Sequence, residues 1–152
     1  MTNEELKSKL KSWLPDLIFN ENGTYLNVEI GQAGLLDFAE KLKDDPDTDF
    51  NYLFCVSGID FVDELGVMYH LESTRHRHII TLTVKTAERE NPVLDSLWKI
   101  WPAAELQEME VYDLFGIRFN GHPNLKRLFL GEEWVGYPLR KDYVDEVNMI
   151  IR

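Results

Sequence analysis

A single cysteine, Cys55, stands among 152 residues. That excludes a disulfide framework, and it excludes an iron–sulfur cluster held by this chain alone. No apolar run approaches the roughly 20 residues that cross a bilayer. Basic residues are the minority: 16 Lys and Arg stand against 27 Asp and Glu, a formal net charge of -11. Binding to nucleic acid or to a bare anionic membrane through a basic surface is therefore not expected. A basic protein partner fits the charge better. Gly31-Gln32-Ala33-Gly34 lacks both the glycine pattern and the lysine of a phosphate loop, so neither an NAD nor an ATP site is expected. Met1-Thr2-Asn3-Glu4-Glu5 is acidic and helix-prone, without a signal-peptide core. These absences point to a reducing, cytosol-like compartment. If the chain works at a membrane, other chains hold it there.

What is present is enough for one domain with a real core: 44% hydrophobic and 12% aromatic residues. Thr2 or Asn3 can cap a first helix in which Leu6, Leu10, Trp13 and Leu14 recur at helical spacing until Pro15 ends it. Runs 16–19 and 24–30 flank Glu21-Asn22-Gly23, a hairpin signal. A second helix over 33–43 carries Leu35, Phe38, Ala39 and Leu42 on its inner stripe. A buried strand is expected over 52–56, with Ser57-Gly58-Ile59-Asp60 as a turn. A hairpin follows, 66–72 against 76–84, placing His76 and His78 on one strand face. Asn91-Pro92 predicts an N-cap and N1 proline opening a short helix with Val93, Leu94, Leu97, Trp98 and Ile100. A last helix over 103–115 stops at Gly116. Strands and helices mix without βαβ alternation. The expected class is α+β: a two-layer domain over 1–120, with one mixed, mostly antiparallel sheet and helices on one face. Residues 121–152 are expected to form an extended C-terminal arm.

The densest chemistry lies in Glu108-Met109-Glu110-Val111-Tyr112-Asp113-Leu114-Phe115-Gly116. Carboxylates beside apolar residues are expensive to bury and need a partner. Leu106, Glu110 and Asp113 fall at i, i+4 and i+7, which predicts one shared face where the two acids can meet one Arg, Lys or metal ion. Glu108 points elsewhere. A di-metal carboxylate site would want Glu-x-x-His pairs on facing helices, and no His follows at that spacing. Paired carboxylates for acid/base work remain possible on spacing alone. His76-x-His78 has metal-ligand spacing but no Cys or Glu spaced to complete a site, which favours two half-buried sheet histidines. His122, in the turn Gly121-His122-Pro123, reads as a turn hydrogen-bonder, and Cys55 as a buried structural thiol. Lys126-Arg127, Arg140-Lys141, Trp134, Tyr137 and Tyr143 make the C-terminal segment basic and aromatic, as a protein-contact arm would be.

Residues 108–127, followed by Trp134-Val135-Gly136-Tyr137-Pro138-Leu139-Arg140-Lys141-Asp142-Tyr143, resemble the signature of the C-type, 30-kilodalton subunit of respiratory complex I, the proton-pumping NADH:quinone oxidoreductase. That family shows Glu-Arg-Glu, two residues, then Asp-Leu-Phe-Gly-Ile. Glu108, Glu110, Asp113, Leu114, Phe115, Gly116 and Ile117 fill those places. Gly121, His122, Pro123, Leu125, Lys126, Arg127 and Leu128 match its next element, and Pro138, Leu139, Arg140, Lys141, Asp142 and Tyr143 its closing one. Upstream, Leu42-Lys43-Asp44-Asp45-Pro46, Ser57-Gly58-Ile59-Asp60-Phe61, Tyr69-His70-Leu71-Glu72-Ser73 and Trp101-Pro102-Ala103-Ala104 stand in the family's order. The family's Arg between the glutamates is Met109 here, and a second Gly-His-Pro-like turn reads Gly136-Tyr137-Pro138.

The resemblance implies a non-catalytic scaffold subunit of the peripheral arm, with no metal or cofactor on this chain. FMN, iron–sulfur clusters, NADH and quinone would sit on other subunits, among them the large quinone-site subunit and a cluster-bearing neighbour that this chain packs against. It implies the cytoplasmic side of a bacterial inner membrane, or the matrix side in a mitochondrion, with indirect membrane association. An equivalent subunit of a membrane-bound hydrogenase or ferredoxin-dependent complex is the alternative. An independent metallo-enzyme using His76, His78 and the three acids is a remoter one.

Overall fold

The computed structural model describes residues 2–130 and 134–143. Of the expected arm, residues 131–133 and 144–152 lie outside the described residues. Helix α1 (Asn3–Trp13) opens on a capping box: the Thr2 hydroxyl accepts from the Glu5 N–H while Glu5 accepts from the Thr2 N–H, satisfying two donors a helix start leaves open. Strands β1 (Ile18–Asn20) and β2 (Leu26–Ile30) pair antiparallel as expected. A 3-10 turn occupies 32–34, so α2 (Leu35–Asp44) starts two residues later than the periodicity predicts.

Strand β3 runs the full nine residues Tyr52–Asp60, against the expected end at Val56. Ser57-Gly58 is not a turn. Gly58 pairs with Val67 inside the sheet, and the Phe115 ring lies so close over it that any Cβ there would collide. The glycine makes room for a ring rather than for a bend. The reversal comes instead at Phe61–Glu64, where the Phe61 N–H bonds the Glu64 carbonyl and Val62 adopts a φ of 78°. Strands β4 (Leu65–Ser73) and β5 (His78–Thr86) form the second hairpin. Its turn spans 74–77, so His76 lies outside the strand that holds His78.

The segment after Pro92 is a short strand, β6 (Val93–Asp95), and not the helix that Asn91-Pro92 predicts. It pairs in parallel with β7 (Arg118–Asn120) through bonds from the Arg118 N–H to the Pro92 carbonyl and from the Ser96 N–H to the Asn120 carbonyl. A proline suits the start of an edge strand as well as the start of a helix, and pairing with a segment 25 residues away settles which. Helix α3 (Ala104–Phe115) ends at Gly116 in the left-handed region, φ 78°, as the sequence predicts.

The main sheet has the order β1-β2-β5-β4-β3, antiparallel except for the β2–β5 pair. Leu26, Val28, Ile30, Ile80, Leu82, Val84, Val67, Tyr69 and Leu71 line one face in register and join Leu6, Leu10, Phe38, Leu42, Val111 and Phe115 of the helices in a single core. On the opposite face the Asn27 amide donates to the Thr81 and Thr83 hydroxyls, in a hollow of about 550 Å³. The class is α+β, with the helices on one face of a mixed sheet.

Candidate functional site

The three acids of α3 have three different fates, decided by helix rotation. Glu108 is 0% exposed and turned into the domain. It accepts hydrogen bonds from the Tyr69 hydroxyl of β4 at 2.7 Å, from the Ser96 hydroxyl, and from the Leu97 N–H at 3.0 Å. Burial pushes its carboxyl pKa up, and the three donors only partly offset that. The Tyr69 hydroxyl, fully buried beside this carboxyl, is pushed well up as well, by burial first and then by Glu108. Glu108 thus ties the β6 end and the 96–97 turn to the sheet. Those bonds also explain why 93–100 is not a helix: its backbone and hydroxyl groups are engaged by a buried carboxyl instead.

Asp113 is also 0% exposed, whereas Leu106 is 61% exposed and Glu110 lies in solvent. The expected shared face therefore splits. At about 100° per residue, three residues rotate Asp113 roughly 60° away from Glu110, which is enough to turn it under the C-terminal segment. Asp113 Oδ2 accepts from three successive backbone N–H groups, Leu128 (3.2 Å), Phe129 (2.7 Å) and Leu130 (3.1 Å), while Oδ1 accepts from Arg127 Nη1 (3.2 Å). Burial opposes ionisation here, but those backbone donors and Arg127 outweigh it and hold the pKa below its ordinary value. Arg127, with its side chain only 7% exposed, also donates to the carbonyls of Asp113, Trp134 and Gly136. Arg127 takes Asp113 alone, so the two acids do not share a cation.

A second anchor lies at the end of β3. Asp60, 5% exposed, accepts a two-pronged pair from Arg89 at 2.8 Å on each oxygen and further bonds from the N–H groups of Val62 and Lys141. Arg89, assisted by the backbone donors against the opposing effect of burial, holds the Asp60 carboxyl well below the usual carboxylate range. Arg89 also bonds Asp142 at 3.1 Å. Arg140 donates through Nε to the Phe115 carbonyl and through Nη1 to the Arg89 carbonyl. Between the two anchors lies Tyr137, with the Arg127 and Arg140 guanidinium groups 4.6 and 5.2 Å from its ring centre. Gly116 leaves room for that ring: a Cβ there would stand 2.6 Å from it.

The other sequence-predicted residues fall around this strap. His122 Nδ1 accepts from the Asn124 N–H, so its Nε2 donates to the Glu105 carbonyl at 2.8 Å, and the imidazole pins the Gly121-His122-Pro123 turn to α3. Gly121 has φ 83°. Pro123, Lys126, Lys141 and Asp142 are exposed, Pro138 and Tyr143 half-buried, and Leu139 is 52% exposed with its N–H on the Leu114 carbonyl at 3.0 Å. Met109 is 2% exposed, an apolar side chain filling the place of the family's arginine. His76 Nε2 meets the Pro46 carbonyl and His78 Nε2 the Asn3 amide oxygen, on separate elements. Among the described residues no three His, Cys, Asp or Glu side chains group as metal ligands. Cys55 is half-buried, its sulfur 3.6 Å from the Ser57 hydroxyl, rather than enclosed as expected.

Sequence reasoning did not single out Asp60, Arg89, Tyr69 or Ser96. Asp60 and Tyr69 carried a signal, in the Ser57–Phe61 and Tyr69–Ser73 runs. The others belong to pairings that long-range folding creates.

Residues 28–147 match the family described as the respiratory-chain NADH dehydrogenase 30 Kd subunit. The chain is 48% identical over 122 residues to the C/D-type subunit of an NADH-quinone oxidoreductase of Phocaeicola vulgatus, covering 80% of this chain and 23% of that one, so it spans only a part of that relative's length. It is 38% identical over 147 residues to the C-type subunit of the NADH-quinone oxidoreductase of Roseiflexus castenholzii, covering 93% and 84% respectively. Among solved structures, a chain of the membrane-bound sulfane sulfur reductase, an archaeal respiratory membrane complex, shares the fold with a TM-score of 0.72 at 21% identity, over 95% of this chain and 86% of that one.

Proposed function

Because the chain belongs to the family of the respiratory-chain NADH dehydrogenase 30-kilodalton subunit, we propose that it is a non-catalytic scaffold subunit in the peripheral arm of an NADH:quinone oxidoreductase. It supports electron transfer from NADH to quinone, coupled to proton translocation, by holding neighbouring subunits in place. FMN, iron–sulfur clusters, NADH and quinone belong to those neighbours. The observation that carries this reading is the clamped strap. Asp113 and Asp60 hold residues 126–130 and 134–143 against the end of α3, and that strap turns Phe129 (67% exposed), Val135 (88%) and Leu139 (52%) outward. Apolar side chains exposed to solvent beside cationic ones suit a docking surface. Pre-organising it within the subunit lowers the ordering entropy lost on assembly.

In this reading the 1–120 domain is the platform and 121–152 the docking segment. A D-type unit is the first candidate neighbour, since a relative joins C-type and D-type units under one name; the large quinone-site subunit and a cluster-bearing subunit are the neighbours the resemblance implies. No described helix is long and apolar enough to cross a membrane; the peripheral place on the cytoplasmic or matrix side comes from the family reading. The test is co-purification. A tagged chain expressed in its host is expected to bring down other subunits of the oxidoreductase, and recovery of the chain alone overturns the reading.

A further inference from the structure

Two of the three α3 carboxylates are consumed inside the chain: Glu108 by Tyr69, Ser96 and Leu97, and Asp113 by Arg127 and the 128–130 backbone. Glu110 is exposed and takes part in none of the ion pairs among the described residues. It stands at a cleft of about 230 Å³ lined by Val56, Ser57 and Gly58 of β3, Leu114 and Phe115 of α3, and Leu139 of the strap. One turn earlier Leu106 is 61% exposed. Ala104, Val111 and Phe115 of α3 face the sheet and Leu114 packs partly against the same core, while Leu106 of α3 and Leu139 of the strap are exposed.

A cleft of mixed lining, with apolar walls at Leu114 and Leu139 and a carboxylate free of ion pairs among the described residues, fits a long basic side chain, whose methylenes bury while its charge stays at the rim. A metal ion is a poor fit, since no cluster of ligating groups surrounds Glu110 among the described residues. A second copy of this chain is a poor fit too, because its net charge of -11 makes self-association repulsive. We infer that this cleft receives a Lys or Arg side chain, carried on an apolar-flanked segment of a neighbouring subunit, with its stem on Leu114 and Leu139 and its charge on Glu110. The inference rests on the scaffold reading and names the chemistry of the contact.

The experiment compares the full-length tagged chain with Glu110→Lys, Glu110→Gln and, as an equal charge change on the exposed face of α2, Glu40→Lys. Each is expressed in the host, and recovery of oxidoreductase subunits is measured at low and high salt. Glu110 is an exposed helix-surface residue, so Glu110→Lys is expected to keep the wild-type melting temperature. Recovery at low salt is expected to fall at least about tenfold for Glu110→Lys relative to Glu40→Lys, as like charges forced together in an interface require. Glu110→Gln is expected to lose less and to show a flatter salt dependence than wild type. Glu110→Lys recovering the complex as well as Glu40→Lys, or Glu110→Gln keeping both wild-type recovery and wild-type salt dependence, overturns the inference while leaving the scaffold reading intact. A wild-type chain that recovers no subunits sinks both.

Discussion

Asp60 and Lys141, 81 residues apart in the chain, meet through a 2.9 Å hydrogen bond from the Lys141 backbone N–H to the buried carboxylate. Because the donor is main chain, the contact depends on the path of the strap and not on the lysine side chain. Asp113 works the same way at the other end, accepting from the backbone of 128–130. The two anchors therefore specify where the segment runs and leave its outer side chains uncommitted to either anchor.

Asp113→Asn puts an amide NH2 where both oxygens now only accept. It must face either Arg127 or the three backbone N–H groups, and it leaves a buried guanidinium short of its counter-charge. The expected loss is roughly 3 kcal/mol. A urea melt measures it, and limited proteolysis is expected to cut within 127–130 or 134–143 before the rest of the domain. Wild-type protease resistance in that segment would show that the strap does not hang on Asp113.

The pH dependence of stability has two opposed contributions. Asp60 has a folded pKa below its ordinary value, so its contribution is complete above about pH 4 and is lost as pH falls through the folded pKa. The gap between wild type and Asp60→Asn should therefore narrow on acidification. Glu108 runs the other way. Its folded pKa is raised by burial, so its contribution is complete below about pH 4.3 and is lost as pH rises through the folded value. Glu108→Gln keeps acceptors for Tyr69 and Leu97 and a donor for Ser96, so it should gain on wild type as pH rises. Denaturant midpoints across the acid-to-neutral range check both signs, and parallel curves for all three proteins would refute them.

Gly116 and Gly121 separate backbone strain from crowding. Both have positive φ, 78° and 83°, but a Cβ at Gly121 meets nothing within 4 Å while one at Gly116 meets Tyr137. Gly121→Ala should lose only the left-handed penalty, about 1 kcal/mol. Gly116→Ala adds displacement of the Tyr137 ring and should lose about 2–4 kcal/mol. Equal melting temperatures for the two variants would mean that the Tyr137 ring moves freely.

Arg140→Glu and Tyr143→Ala address assembly. Arg140 bonds the carbonyls of Phe115 and Arg89, and Tyr143 closes over Gly136. Both variants are expected to reduce recovery of partner subunits while the far-UV circular dichroism of the domain is kept. Unchanged recovery after both substitutions would argue against a docking role for the strap.

Much of the fold was legible because its signals are local. The Thr2 cap, the Asn22-Gly23 hairpin, the Leu35/Phe38/Leu42 stripe and the Gly116 stop each depend on residues a few positions apart, and each is seen where it was expected. The errors fall where a local signal has two solutions. Ser57-Gly58 reads as a turn until Phe115 arrives to use the space above the glycine. Asn91-Pro92 reads as a helix start until Glu108 and β7 claim the groups that follow it. Propensities of about 1 kcal/mol or less are readily overridden by such contacts.

The sequence by itself determined the α+β class, the family through its 108–143 block, and the concentration of acids in one helix, because these reside in residue types, order and spacing. Only the tertiary structure decided what each acid does. Glu108, Glu110 and Asp113 sit within six positions, yet rotation of about 100° per residue sends one into the core, one to solvent and one beneath the strap. Burial and available donors, fixed by chain segments far away in sequence, then make two of them internal anchors and leave Glu110 facing outward.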